Sequence, residues 1–323
     1  MSVQVFLKLF AIFIVIAIGW GAAKTRALGG EAAARTMSNA AFFLFVPALL
    51  FRTTARVALA DLPWETLASF FGPVVAVLLA VYGWQRVARG GSSPATPAVR
   101  AITATFGNGL QLGLPVVTAL FGTTGLTVHI AIISMHALTL MTIVTVLVEL
   151  DLARAQAAAT GRSTVLATAA VTARRAVIHP VVLPVLLGLG WNLLGVRLPG
   201  QADDILATLS QAVAPVCLVT IGMSLAHYGV KGVLGWATTL AMGKLLVQPA
   251  VVFVIAHWVG DLHGVTLATV VMFAGLPVGS NALLFAQRYG AQEAEVTASI
   301  MVSTLAFTAT APLWLFVTSS VAP

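Results

Sequence analysis

Apolar runs of roughly span length recur along the whole chain, separated by short breaks that carry charge, glycine or proline. A helix that crosses a bilayer needs about 20 apolar residues. The pattern therefore predicts ten spans, at about 3–22, 37–54, 66–88, 99–121, 125–149, 176–196, 205–226, 232–258, 263–288 and 295–319. The longest polar connection, 151–175, divides them five and five. The predicted fold is an all-α polytopic membrane protein of ten transmembrane helices. It has a first five-helix repeat over 1–150, a cytoplasmic linker over 151–175 and a second repeat over 176–323.

Spans 4 and 9 depart from the others. Each is apolar yet interrupted, at Gly113-Leu114-Pro115 and again at Gly275-Leu276-Pro277. Proline removes a backbone donor and clashes with the preceding turn, and glycine weakens a helix further, so broken helices are expected at both places. Unpaired backbone in hydrocarbon is tolerated only against protein or a water-filled cavity, and matched interruptions in two halves of a membrane chain point to a substrate site. Weaker matches follow the same order. Met37-Ser38-Asn39-Ala40 before Pro47 corresponds to Leu209-Ser210-Gln211-Ala212 before Pro215, and Pro73 in span 3 to Pro249 in span 8.

Charge orients the repeats. Loops after odd-numbered spans hold Lys24, Arg26, Arg35, Arg86, Arg89, Arg100, Arg154, Arg162, Arg174, Arg175, Lys231 and Arg288; those after even-numbered spans hold only Arg52, Arg56 and Arg197. Positive residues concentrate on the cytoplasmic side, so both termini are expected outside it. An odd number of spans per half makes the repeats inverted.

Hydrophobic residues make up 59% of the chain and charged residues 8%, against roughly 25% charged in an ordinary soluble domain. The bilayer is the expected partner. The 17 Lys and Arg against 10 Asp and Glu are spread through short loops, so no nucleic-acid surface is expected. Lys24, Arg26 and Arg35 follow the first apolar run rather than precede it, the wrong flank for a cleaved signal peptide. The single Cys217 excludes an intrachain disulfide and a cysteine-rich metal site; no metal or cofactor is expected. A phosphate loop, a His-Glu-x-x-His helix and a nucleophile elbow are all missing from the sequence, so no enzymatic function is expected.

Chemistry concentrates at the two interruptions. Asn108 and Gln111 precede Pro115, while Ser280 and Asn281 follow Pro277; side-chain amides offer donors and acceptors together, to repair a break or to hold a polar ligand. A half-helix beginning within the membrane aims unpaired N–H groups and its positive end into the cavity, which suits an anion. All ten acidic residues fall at span ends or in loops, which disfavours a carboxylate proton relay and a cationic substrate. Lys244 stands about halfway along span 8, where a cation needs a partner; Lys8, near a span end, is expected to snorkel. His129 and His136 lie two turns apart on one face of span 5, either packed and hydrogen-bonded or titrating. With Lys244 they are the charge and coupling candidates.

Several motifs together resemble the auxin efflux carrier family, which includes plant carriers and bacterial permeases described as malonate or malate transporters. They are FGNGLQLGLPVVTALFG in span 4, LVQP after Lys244 in span 8, and GLPVGSNALLFAQRYG with TASIMVSTLAFTATAPLW in spans 9 and 10. The resemblance implies a support domain from spans 1, 2, 6 and 7 and a transport domain from spans 3–5 and 8–10. The substrate would bind near the crossing of spans 4 and 9, with Asn108, Pro115, Pro277 and Asn281 as its site; Gln111 and Ser280 are added by position. It further implies a secondary transporter of a small organic anion in the cell inner membrane, and a homodimer through the support domain. Two departures stand out: His179-Pro180 opens span 6 where Asn-Pro is commoner, and the central loop is short. The alternatives are a sodium-coupled carrier of the bile-acid type and a membrane sensor that binds the same anion without moving it.

Overall fold

The computed structural model describes residues 3–25, 31–56, 62–88, 93–160, 178, 180, 182–228 and 232–321. These are almost entirely helical: α1 (Val3–Lys24), α2 (Glu31–Ala40), α3 (Val46–Arg56), α4 (Trp64–Ala88), α5 (Thr96–Thr105), α6 (Leu114–Thr160) and α7 (Val182–Leu193). They continue with α8 (Gly200–Gln211), α9 (Val213–Tyr228), α10 (Leu234–Met242), α11 (Gln248–Trp258), α12 (Gly264–Ala274), α13 (Asn281–Tyr289) and α14 (Glu293–Ser319). Among the described residues, six helical stretches are long and apolar enough to cross a membrane: Ala32–Arg56, Trp64–Ala88, Val116–Ala158, Gly200–His227, Leu234–Trp258 and Glu293–Ser319. The sequence pattern predicts ten. Expected spans 4 and 9 are split, expected span 6 contributes the shorter apolar helix Val182–Leu193, and expected span 1 is the continuous helix α1.

Proline acts here in two ways. Three π-helical turns, Ala41–Phe45, Gly109–Gly113 and Gly243–Val247, each end just before an X-Pro pair: Val46-Pro47, Leu114-Pro115 and Gln248-Pro249. A proline supplies no N–H to the carbonyl four residues back, so the preceding turn is left short of a donor and winds wider. The orphan of Pro249 is the carbonyl of Leu245, and the indole N–H of Trp314 donates to it at 2.8 Å. The first Gly-Leu-Pro therefore does not break its span, contrary to the sequence expectation. Pro115 is the second residue of α6, and the break lies upstream at Phe106-Gly107-Asn108. Gly113 serves packing instead, because a Cβ there would come within 2.5 Å of Leu276 Cδ1 and 2.6 Å of His129 Cε1. The second Gly-Leu-Pro does fall in a break, between α12 and α13.

Further along, the chain turns at Gly122, whose φ of 61° and ψ of −149° require a residue without a side chain. The connection expected to begin at 151 stays helical as far as Thr160. Its remainder over 161–177 lies outside the described residues, as do Arg26, Asp61, Arg89, Arg162, Arg174, Arg175, His179 and Lys231 and the side chains of Lys8, Gln111 and Pro115.

Packing groups the helices. α1 runs along α9, and α3 packs against α7 and α8; α4, α5, α10, α11, α12 and α14 pack among themselves and with α6. The α1–α9 contact depends on Gly222, where a Cβ would overlap the carbonyl of Ile16; small residues let helix backbones approach in this way. Large apolar side chains such as Ile18, Leu187, Leu193, Val254 and Phe316 are exposed, which suits lipid as the solvent. Arg100, counted above as a loop charge, is not in a loop. It is buried in α5, in a bidentate pair with Glu295 whose two bonds are both 2.8 Å, and its guanidinium lies 3.9 Å over the Trp236 ring. Arg52 and Arg56 both pair with Asp203 at the start of α8.

Candidate crossover site

The two breaks close each other. Gly107 and Val278 face one another as an isolated antiparallel bridge. The amide of Asn108 donates to the carbonyl of Pro277 at 2.8 Å, and that of Gly279 to the carbonyl of Phe106, also at 2.8 Å. Two backbone groups at each helix interruption are satisfied by the other interruption, the arrangement that a dry interior demands.

Side chains from the surrounding helices take up what remains. The Gly107 N–H donates to His136 Nε2 at 3.2 Å and the Val278 N–H to Ser303 Oγ at 3.0 Å. His129 Nε2 donates to the Gly109 carbonyl at 2.9 Å. Donor and acceptor logic fixes the tautomers: His136 accepts at Nε2, so its proton is on Nδ1, while His129 carries a proton on Nε2. His136 sits among the rings of Phe106 and Phe273, at 4.5 and 4.9 Å.

One face of the π-turn and α11 serves both C-terminal half-helix ends. Lys244 Nζ donates to the carbonyl of Ala274, the last residue of α12. One turn on, Gln248 Nε2 donates to that of Thr105, the last residue of α5, at 3.2 Å. Both side chains are buried, Lys244 fully. A cation at a helix C-terminus complements the negative end of the dipole, and no carboxylate among the described residues pairs with Lys244. The partial negative ends of α5 and α12 are thus covered from behind. At the positive ends, Gly109 at the start of the π-turn Gly109–Gly113 and Asn281 at the start of α13 are open to a cavity.

The cavity has a volume of about 210 Å³. Asn108, Ser280, Asn281 and His136 line it, together with Leu49, Leu50, Thr53 and Thr54 of α3, Ile133, Ser134, Ala137 and Leu138 of α6, and Val213 of α9. Of the residues expected at the site, those four come together around the cavity. Pro277 contributes its carbonyl to the crossing, and Lys244 and His129 lie behind it. The backbone of Gln111 is in the π-turn. Sequence reasoning missed Gln248 and Ser303. Gln248 carried a signal, one turn after Lys244 and beside Pro249, whereas Ser303 carried none.

The profile of the family described as Membrane transport protein matches residues 4–315. The chain belongs to this family. It is the family of auxin efflux carriers that the motifs of spans 4, 8, 9 and 10 resemble, and membership makes the chain a multi-pass membrane transporter, not an enzyme. A protein of Rhizobium meliloti named "Putative malonate transporter" is 28% identical over 138 residues, 43% of each chain, so that match spans less than half of the relative. The "Uncharacterized transporter YfdV" of Escherichia coli (strain K12) is 25% identical over 318 residues, 96% of each chain. An "Uncharacterized transporter" of Methanothermobacter thermautotrophicus is 26% identical over 306 residues, 94% of this chain and 95% of the relative. As a transporter of this family it takes a small-molecule substrate and works in a lipid bilayer.

Proposed function

We propose that this transporter moves a small organic anion by alternating access at the crossing, as a secondary carrier of ten spans in two inverted repeats. The observation that carries the reading is the one-sided polarity of the crossing. Its C-terminal half-helix ends are capped by Lys244 and Gln248, so the N-terminal ends are what the cavity meets, and such ends attract anions. The helices grouped around α1, α3 and α9 form the support body. The helices that carry the crossing form the moving body.

The walls narrow the substrate to a monocarboxylate with an apolar body. Asn108, Ser280 and Asn281 supply one polar end, and no Lys or Arg is among the lining residues. The hydroxyls of Thr53, Thr54 and Ser134 already donate to Leu49, to Leu50 and Phe51, and to Ala131 on their own helices. A second carboxylate, as in malonate, would meet mainly Leu, Ile, Val and Phe side chains, which is costly. Uptake into proteoliposomes tests both points. Phenyl- or indole-bearing monocarboxylates are expected to compete for uptake better than malonate, and Asn108→Ala and Asn281→Ala each to remove most flux from folded protein. Normal uptake by both variants below saturation overturns the site; binding with no flux in any condition identifies a sensor instead.

A further inference from the structure

A second cleft lies well away from the crossing, where the ends of α4, α5 and α6 meet. Its volume is also about 210 Å³, and Gln85, Arg86, Ser93, Thr96, Asp151 and Arg154 supply its polar lining. None of these residues touches the central cavity.

The charges in the cleft do not balance. Arg86 and Arg154 approach the same oxygen of Asp151, Oδ1, at 3.5 and 3.3 Å, while Oδ2 accepts from the Tyr82 hydroxyl at 2.8 Å. One buried carboxylate thus stands against two guanidiniums, each with five N–H donors. The contrast with Arg100 is direct: that guanidinium engages Glu295 through two bonds of 2.8 Å and Gln85 Oε1 through a third of 2.9 Å. Arg86 and Arg154 reach Asp151 only through long contacts, Arg86 also lying 5.8 Å over the Tyr82 ring, and their side chains are 43% and 54% exposed.

Other donors converge on the same place. Gln85 is 3% exposed and lends its carboxamide oxygen to Arg100, while its Nε2 has no partner among the described residues. At the start of α5 the hydroxyls of Ser93 and Thr96 line the cleft; they accept from the Ala95 N–H and from Gln292 Nε2, which leaves their own O–H groups to donate. The only carboxylate in the lining, Asp151, is already taken by three donors. A ligand that fills this cleft must bring acceptors.

We propose that the cleft binds the phosphate oxyanion, either of an anionic lipid headgroup or of free phosphate. Phosphate presents several acceptor oxygens at once, so it can meet donors arriving from three helices, and planar guanidinium groups match its geometry. The position suits it too. The cleft sits where apolar helices end, the depth at which headgroup phosphates lie and basic side chains meet them.

Thermal shift of the purified full chain tests the site in two arms, inorganic phosphate against chloride at matched ionic strength, and phosphatidylglycerol against phosphatidylcholine vesicles. At least one of them is expected to stabilise the wild type. The Arg86→Gln/Arg154→Gln variant is expected to need at least about tenfold more ligand for the same shift, a loss of roughly 1.4 kcal/mol. A response to the lipid alone identifies a headgroup; a response to phosphate alone identifies the free ion. Should the double variant fail to fold, Arg154→Gln, at a half-exposed position, makes the same comparison. Equal responses of wild type and variant, or no response of the wild type in either arm, overturn the proposal.

Discussion

Gly279 donates its amide to the carbonyl of Phe106 at 2.8 Å, and the fit between these two residues leaves no room for a side chain. A Cβ on Gly279 would stand 2.7 Å from Phe106 Cδ1 and 3.0 Å from the carbonyl oxygen of Gly107. On the facing strand, a Cβ on Gly107 would meet nothing closer than 3.4 Å. The crossing is therefore tight on one partner and slack on the other.

Gly279→Ala should separate the two breaks, at a cost in the range of overpacking, about 1–3 kcal/mol, and abolish transport. Gly107→Ala should cost less than about 1 kcal/mol. Melting curves and uptake of the two purified variants check the asymmetry; equal losses would contradict it.

Lys244→Met leaves the Ala274 carbonyl buried without its side-chain donor, which should destabilise the protein by about 1–3 kcal/mol. Gln248→Leu removes the corresponding donor from Thr105 and should cost about the same. Both variants are expected to lose transport, Lys244→Met more at low substrate concentration because a positive charge leaves the vicinity of an anion. Kinetic constants separate the two, and identical apparent affinities would count against an electrostatic role for Lys244.

His136 holds the Gly107 N–H as an acceptor. A doubly protonated imidazole has no acceptor nitrogen, so protonation must release this contact, and transport is expected to depend on pH rather than on sodium. His136→Gln keeps an acceptor at every pH and should flatten that dependence; His136→Leu should abolish flux throughout. The neighbouring titratable groups are His129 and Lys244. Uptake that requires sodium and ignores a pH gradient would contradict this expectation.

The other end of α13 is latched. The carboxamide of Gln287 accepts from Ser38 Oγ of α2 at 2.5 Å and donates to Ser224 Oγ of α9 at 3.0 Å. These bonds join α13, whose start lines the cavity, to α2 and α9, which pack against each other. Gln287→Leu removes both, and at about 0.5–1.5 kcal/mol each this should shift the population toward conformations in which α13 has moved away. Labelling of a cysteine introduced at Ala286, buried here, should become several-fold faster. Unchanged labelling would show that the latch does not hold the state described.

Breaking the buried pair at Arg100 offers a control distant from the site. Arg100→Leu strands the Glu295 carboxylate and should cost about 3–5 kcal/mol, whereas Arg100→Leu with Glu295→Leu should recover most of it. Melting temperatures of the single and double variants decide this.

Apolar run length and its interruptions determined the helical membrane class and the stretches that matter, because lipid leaves a spanning backbone few other solutions. That Asn108, Ser280 and Asn281 come together beside the interruptions could be read for the same reason: polar side chains in an apolar run beside Pro and Gly have few bland explanations. Which interruption truly breaks its helix was not legible. Gly113-Leu114-Pro115 and Gly275-Leu276-Pro277 are the same three residue types, yet the first stays helical, at the junction of a π-turn and α6, and the second is open. The difference is made by partners distant in sequence. Phe106 to Asn108 can leave the helix because the Pro277 carbonyl accepts from Asn108 and the Gly279 amide donates to Phe106. Nor could the sequence assign Arg100, which reads as a loop charge until α14 brings Glu295 against it. Local composition sets what a segment can become, but which backbone and charged groups find partners is decided by what tertiary packing places beside them.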